Sequence, residues 1–222
     1  RVISVNQTGV FYCMKVALNQ FLEQGYGNIV NIFGEEKVRR IIESCPGLVV
    51  LDEAYLPFTD SDLLPLLNDY ENVVAMRTFS KMGLAGLRLG VLVGRPEWLT
   101  EFNKLRLPYN INSLTQKSAS FALEHVDVLS RQTELLRENR FKLSQALSDL
   151  AGVTVFESEA NFLLIRLANN DAREVFEKLK SAGILIKCLD GGHPALKQCL
   201  RLTVGRPEDN RKMLDALAAS LA

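Results

Sequence analysis

Apolar positions change period several times along the chain, and each change predicts an element. Between residues 8 and 24, Val10, Met14, Ala17, Leu18 and Phe21 lie along one helical face that stops at Gly25-Tyr26-Gly27. Asn28 to Phe33 then reads as a short buried strand through Ile29-Val30-Asn31-Ile32. A second helix is predicted over Glu35 to Ser44, with Val38, Ile41 and Ile42 inward and Pro46-Gly47 marking its end. Leu48-Val49-Val50-Leu51 shows no alternation, the pattern of a parallel strand buried on both faces. Val73–Met76 and Leu89–Val93 continue the series, the latter closed by Gly94-Arg95-Pro96. Helices alternating with apolar strands between residues 12 and 94 predict an α/β fold with a doubly wound, mostly parallel sheet.

The second half has a different rhythm. Residues 113–150 read as a long helical region carrying Leu136, Leu143, Leu147 and Leu150. Short strands are predicted at Val153–Phe156, Phe162–Arg166, Ile184–Cys188 and Leu200–Val204. Helices are predicted at about Ala172–Ala182 and Glu208–Leu221. The first opens on Asp171 and Glu174 at capping-box spacing and stops at Gly183; the second has Pro207 near its first position. A smaller α+β domain at the C-terminal end follows.

Composition narrows the partners. The 222 residues hold 26 Lys plus Arg against 26 Asp plus Glu, so no overall basic field attracts nucleic acid or acidic lipid. Anion binding must then be local. Cys13, Cys45, Cys188 and Cys199 form no C-x-x-C pair, and only His125 and His193 are present. Reduced thiols, a cytoplasmic location and no metal site are the expectation. No apolar run approaches the roughly 20 residues of a membrane span, and no signal peptide is visible. The start at Arg1 suggests a fragment, a processed product or an engineered product.

Candidate chemistry centres on Thr78-Phe79-Ser80-Lys81-Met82-Gly83-Leu84-Ala85-Gly86-Leu87-Arg88-Leu89-Gly90. Lys81 follows a predicted strand and precedes small residues that let backbone approach a ligand. An amine that attacks a carbonyl must be neutral, which desolvation or a nearby cation such as Arg88 promotes. Thr78, Ser80 and Arg88 together offer two hydroxyls and one guanidinium fork to a phosphate. Asp52 lies at the carboxyl end of the Leu48–Leu51 strand, where open α/β sheets bind ligands. It could pair with a protonated pyridine nitrogen, with Tyr55 donating to a phenolic oxygen. Plainer readings stay open: Ser80-Lys81 is a common dipeptide and Ala85-Gly86-Leu87-Arg88 a tight helix–strand join, Asp52 caps the next turn, and Tyr55 simply packs. Arg201, in Cys199-Leu200-Arg201-Leu202-Thr203-Val204-Gly205, is expensive to bury unless it meets an anion such as a carboxylate. It could equally face solvent from an edge strand.

These segments resemble, in order and context, the histidinol-phosphate branch of the fold-type I pyridoxal-phosphate aminotransferases from about residue 35 onward. Pro108-Tyr109-Asn110-Ile111-Asn112 and Glu159-Ala160-Asn161-Phe162-Leu163-Leu164 are similar to that branch as well. The resemblance implies pyridoxal 5'-phosphate as cofactor, bonded covalently to Lys81, which also shuttles the substrate proton. It assigns the pyridinium to Asp52, the phenolic oxygen to Tyr55, and the phosphate to Thr78, Ser80 and Arg88. Arg201 is assigned the substrate α-carboxylate, or the phosphate of histidinol phosphate, which lacks that carboxylate. The implied reaction moves an amino group between glutamate and imidazole-acetol phosphate in histidine biosynthesis. The implied partners are small amino and keto substrates and a second copy of the chain.

The front differs. Val5-Asn6-Gln7-Thr8-Gly9-Val10-Phe11-Tyr12 and Gly27-Asn28-Ile29-Val30-Asn31-Ile32 resemble the middle of a short-chain dehydrogenase. That family's glycine motif, catalytic serine and Tyr-x-x-x-Lys have no counterparts, so dehydrogenase chemistry is not expected. The expected organisation is a dehydrogenase-like helix and strand over 1–34, a cofactor-binding portion over 35–130 and a small domain over 131–222. The aminotransferase pattern lacks its earlier phosphate-binding helix, ring-stacking aromatic and Asn-Pro-x-Gly asparagine. Impaired turnover is therefore expected, with an inactive chimeric or truncated α/β scaffold as the alternative.

Overall fold

The computed structural model describes residues 2–6, 28–30 and 34–221. The predicted helix over 8–24 and the end of the strand at 31–33 lie outside the described residues. The chain divides into two compact units, Arg1–Ser130 and Arg131–Ala222.

In the first unit, β1 (Val2–Asn6), β2 (Asn28–Val30), β3 (Val49–Asp52), β4 (Val73–Thr78) and β5 (Leu89–Gly94) form one sheet in the order β1-β5-β4-β3-β2. The β2–β3 and β3–β4 pairs are parallel, and β4–β5 and β5–β1 are antiparallel. The link from β4 to β5, residues 79–88, is mostly two 3-10 turns. It is shorter than the dozen or so residues a parallel crossover needs, so β5 must return antiparallel. Helix α1 (Glu35–Ser44) and the single turn α2 (Leu66–Asp69) cover one face, burying Val38, Ile42 and Leu66 against Val49, Leu51, Val73 and Ala75. Helix α3 (Pro96–Lys104) covers the other face, with Leu99 against Val50, Val74, Met76 and Leu92. Successive residues of β3 and β4 thus feed opposite layers, which is why both strands are apolar throughout. The fold is α/β, as expected, with helices on both faces of the sheet. Helix α3 was not predicted, although Pro96 stands at its first position as helix starts favour.

The predicted helical region over 113–150 divides into α4 (Ser113–Glu124) and α5 (Val126–Ser148). At His125 the backbone leaves helical geometry (φ −120°, ψ 32°), and its N–H donates to the Ala122 carbonyl. The His125 ring takes part in the break: Nδ1 lies 2.9 Å from the Phe121 carbonyl oxygen. The second unit holds a fully antiparallel sheet, β6 (Val153–Val155), β7 (Phe162–Leu167), β8 (Lys187–Cys188) and β9 (Cys199–Thr203), ordered β6-β7-β9-β8. Leu163, Ile165, Leu167, Leu200 and Leu202 share one face and pack on Leu143 and Leu147 of α5. Val175 and Leu179 of α6 (Ala172–Ser181) and Met213 and Leu217 of α7 (Pro207–Leu221) complete that core. Asp171 caps α6 as its spacing predicts, its Oδ1 accepting from the Arg173 and Glu174 N–H groups. Of the predicted Ile184–Cys188 strand only Lys187 and Cys188 pair, while Ile184 and Ile186 pack on the core. Among the described residues no helix is long and apolar enough to cross a membrane.

Candidate active site

Strands β3 and β4 run parallel, with Asp52 opposite Met76, so Asp52 and Thr78 emerge at the same carboxyl edge. There the chain makes two tight structures. After β3, Tyr55 opens a 3-10 turn over Leu56–Phe58, anchored by the buried Phe58 ring. After β4, a 3-10 turn over Ser80–Met82 carries Lys81 and ends at Gly83, whose φ of 86° is left-handed and suits a residue without Cβ. These turns bring Lys81 Nζ over the Tyr55 ring, 4.7 Å from its centroid. The plainer reading of Tyr55 is thus incomplete: the ring packs, but what it packs against is the candidate amine.

Asp52 is half-buried, and its Oδ1 accepts from the Ala54 N–H at 3.0 Å. It does cap the following turn. Burial raises its carboxyl above the ordinary value, opposed by the Ala54 hydrogen bond and the Lys81 charge. No cation lies within ion-pair distance of it among the described residues. A carboxylate held without a salt-bridge partner is suited to a cationic ring nitrogen.

Thr78 donates its hydroxyl proton to the Leu89 carbonyl at 3.2 Å and accepts from the Ser80 N–H at 3.1 Å. That hydroxyl ties the turn to β5 and aims Ser80. The Ser80 Oγ is buried with no hydrogen-bond partner, which is costly unless a ligand supplies one. Arg88 sits in a left-handed conformation (φ 53°, ψ 32°), exposed, with one long contact of 3.5 Å from Nη1 to the Ala85 carbonyl. Backbone strain of this kind at a non-glycine residue gathers at ligand sites. An orphaned hydroxyl, an exposed guanidinium and a carboxylate without an ion-pair partner, at the carboxyl ends of β3 and β4 and in the turns that follow, fit a phosphorylated, ring-bearing aldehyde.

Sequence reasoning missed the pair that holds this edge together. Glu53 is 4% exposed, and its Oε2 accepts from Arg77 Nε at 2.8 Å while Oε1 accepts from the Leu63 N–H at 2.9 Å. Arg77 also donates through Nη2 to Asp62 at 2.7 Å. The segment that follows Asp52 and carries Tyr55 is thereby pinned to β4, the strand that ends at Thr78 just before Lys81. The signal was available: Arg77 is a lone arginine ending an apolar strand, the same cue that singled out Arg201.

Arg201 belongs to the second unit and lies on a central strand, β9, between β7 and β8. It is half-buried, opposite Leu164 on one side and Lys187 on the other, with its guanidinium carbon 5.0 Å from the Phe162 ring centroid. The edge-strand alternative therefore does not hold. Lys187 is a further cation on this face that the sequence reading passed over. Its signal was its alignment with Arg201 across two strands, visible only once the register was known. His193 is exposed and caps the turn over Pro194–Leu196 through Nδ1, which accepts from the Ala195 N–H. Among the described residues no three His, Cys, Asp or Glu side chains gather as metal ligands.

Residues 31–217 match the protein family described as aminotransferase class I and II. This chain belongs to that family. It is 48% identical over 189 residues to histidinol-phosphate aminotransferase 2 of Nitrosococcus oceani, covering 85% of this chain and 52% of that protein. With histidinol-phosphate aminotransferase of Chromobacterium violaceum it shares 49% identity over 185 residues, 83% of this chain and 51% of that one. The chain thus spans about half the length of the curated relatives it matches. Among solved structures, the Sinorhizobium meliloti histidinol-phosphate aminotransferase in complex with pyridoxal-5'-phosphate superposes with a TM-score of 0.77. That alignment has 27% identity and covers 88% of this chain and 58% of that one. The Clostridium acetobutylicum histidinol-phosphate aminotransferase shares the fold, with a TM-score of 0.80 at 20% identity over 87% of this chain and 63% of that one. The family match begins at residue 31, a little before the boundary near residue 35 that the sequence suggested.

Within this family member, Asp52 offers a test that needs no ligand. Its raised carboxyl favours the folded state fully at pH below the ordinary value of 3.8, and that contribution is lost as pH rises through the raised folded value. At neutral pH the buried charge therefore costs stability. Asp52→Asn, whose amide oxygen can still accept from Ala54, is expected to raise the unfolding midpoint at pH 7 in the ligand-free chain. The gain should vanish below about pH 4. Thermal melts of both proteins across pH check this; a lower midpoint for the variant at pH 7 contradicts it.

Proposed function

We propose that this chain binds pyridoxal 5'-phosphate at Lys81 and transfers an amino group between glutamate/2-oxoglutarate and histidinol phosphate/imidazole-acetol phosphate. The carrying observation is the Lys81 amine over the Tyr55 ring, with Asp52 at the same sheet edge and the orphaned Ser80 hydroxyl next in sequence. The relatives at 48% and 49% identity, both histidinol-phosphate aminotransferases, support the choice of substrate. When bound, the cofactor supplies an aldehyde carbon for an amine and an electron-withdrawing ring.

The chain's own groups divide the remaining work. With the cofactor bound, Lys81 would hold it through its side-chain nitrogen and would be the group placed to move a proton at the substrate carbon. Asp52 would hold positive charge on the ring nitrogen, its carboxylate having no ion-pair partner among the described residues. Tyr55 steadies the amine through its ring face and offers its hydroxyl to the phenolic oxygen. Ser80 and Arg88 take phosphate oxygens, and Thr78 holds Ser80 in place. Arg201 and Lys187 take the substrate's anionic end: the α-carboxylate of glutamate or the phosphate of histidinol phosphate. A biosynthetic role of this kind goes with a cytoplasmic location.

Titration with pyridoxal phosphate, read by absorbance and by thermal stability, tests the binding claim. A ligand bound only by the folded state stabilises by about 2.7 kcal/mol at a hundredfold excess over Kd. No absorbance change and no stabilisation would sink it. Binding without transfer from glutamate to the imidazole ketone would leave the site standing and favour the inactive-scaffold alternative.

The same reading includes pairing of two chains. Its support is apolar surface on α4 and α5, where Leu114, Phe121 and Leu123 are exposed beside a groove of about 680 Å³ lined by Leu84, Leu87, Phe121 and Leu129. Sedimentation of the intact chain is expected to give about twice 24.8 kDa at micromolar concentration. A single species at 24.8 kDa contradicts pairing.

A further inference from the structure

Neither Lys187 nor Arg201 has a carboxylate partner among the described residues. Arg201 and Lys187 face one another directly across β9 and β8. Like charges so placed repel, and each is carried on a long, flexible stem. An arginine with no ionic partner in such a setting needs something else to define its direction. Phe162 stands on the neighbouring strand, two residues before Leu164, which pairs with Arg201, so its ring shares their face of the sheet. The guanidinium carbon lies 5.0 Å from that ring's centroid.

We propose that Phe162 is a positioning residue for Arg201: its ring face holds the guanidinium plane against Lys187 and keeps the fork of N–H groups open to an anion. This rests on the anion-binding role given to Arg201 above. The physics is specific to an aromatic ring. A guanidinium stacked on a π face is attracted through its charge while its five in-plane donors remain unused. A carboxylate at the same place would hold the group equally well but consume the donors. A leucine of similar bulk would fill the space without attracting the charge. The sheet thus keeps Arg201 ordered and unsatisfied at once, as a bidentate receptor requires.

Five proteins decide the matter: the intact chain, Phe162→Leu, Phe162→Tyr, Arg201→Lys and the Arg201→Lys/Phe162→Leu double variant. The Arg201 side-chain N–H resonance, assigned by its absence in Arg201→Lys, is expected to show a ring-current shift. Phe162→Leu should remove that shift and Phe162→Tyr should keep it. Inorganic phosphate, titrated against the same resonance, is expected to bind about 3- to 10-fold more weakly to Phe162→Leu. The tyrosine variant should match the parent within about twofold. In the Arg201→Lys background, where phosphate binding is read by the thermal stabilisation it gives, the leucine substitution should cost nothing further, because the partner it serves is gone. In a transfer assay KM for the phosphorylated substrate should rise by the same factor with kcat retained. An unshifted Arg201 resonance, no phosphate response in the intact chain, or an equal loss in the Arg201→Lys background overturns the proposal. A chain that fails to take up pyridoxal phosphate yet shows the Phe162-dependent phosphate response supports it and overturns only the activity reading.

Discussion

Replacing Lys81 by alanine is expected to lower amino-group transfer by at least about 10⁴-fold while changing unfolding free energy by no more than about 1 kcal/mol. The two numbers differ so widely because the side chain has two unequal jobs. Structurally it contributes one contact between its ammonium and the Tyr55 ring, on a turn that is half-exposed. In the proposed chemistry it is both the nucleophile and the proton carrier, and no other described amine stands at that edge over an aromatic ring. Lys81→Arg should be as inactive as the alanine variant, because a guanidinium stays protonated and cannot attack a carbonyl. Transfer rates and urea unfolding of the three proteins check this. Turnover within about a hundredfold of the parent for either variant contradicts the assignment of Lys81.

Arg77→Met is expected to destabilise the first unit by about 3–5 kcal/mol, the largest stability effect foreseen for this site. Glu53 is nearly sealed from solvent, and Arg77 Nε at 2.8 Å is its only ionic partner among the described residues. Removing the guanidinium leaves a buried carboxylate compensated by a single N–H, that of Leu63. Adding Glu53→Gln should recover part of the loss, because the neutral amide no longer demands a cation. Losing the clamp should also weaken pyridoxal phosphate binding, since Asp52 and Tyr55 reach the site through the loop that Glu53 anchors. Thermal melts are expected to fall by roughly 10 °C for the single variant, less for the double. A drop of about 2 °C or less would show that the pair matters little.

Arg77 and Arg201 teach the same lesson from opposite sides. Both are lone arginines in apolar strands, and the cost of burying a charge flagged them equally. One proves satisfied by a buried glutamate, the other sits on a phenylalanine with its donors unspent. Only the pairing of strands distinguishes them. Asp52 makes a parallel case: it caps Ala54 through Oδ1 alone and has no ion-pair partner among the described residues. The Ser80 hydroxyl could be named from sequence as a phosphate donor, but its burial without a partner could not.

Local rules were enough where the determining interactions are local. The helix over Glu35–Ser44, the Asp171 cap, the glycine at position 83 and the unbroken apolar runs of β3 and β4 follow from backbone sterics, period and burial on two faces. Lys81 and its flanking hydroxyls are legible for the same reason, since a tight turn of a few residues brings them together. The Glu53–Arg77 clamp and the alignment of Lys187, Arg201 and Phe162 are not local. Each depends on which strand lies beside which, and in what register. A shift of one residue in that register would turn every one of those side chains to the opposite face. The sequence by itself determined the candidate amine and the hydroxyl-bearing turn that carries it; only the tertiary structure decided which of the flagged charges are spent on partners and which remain open, because pairing depends on strand register.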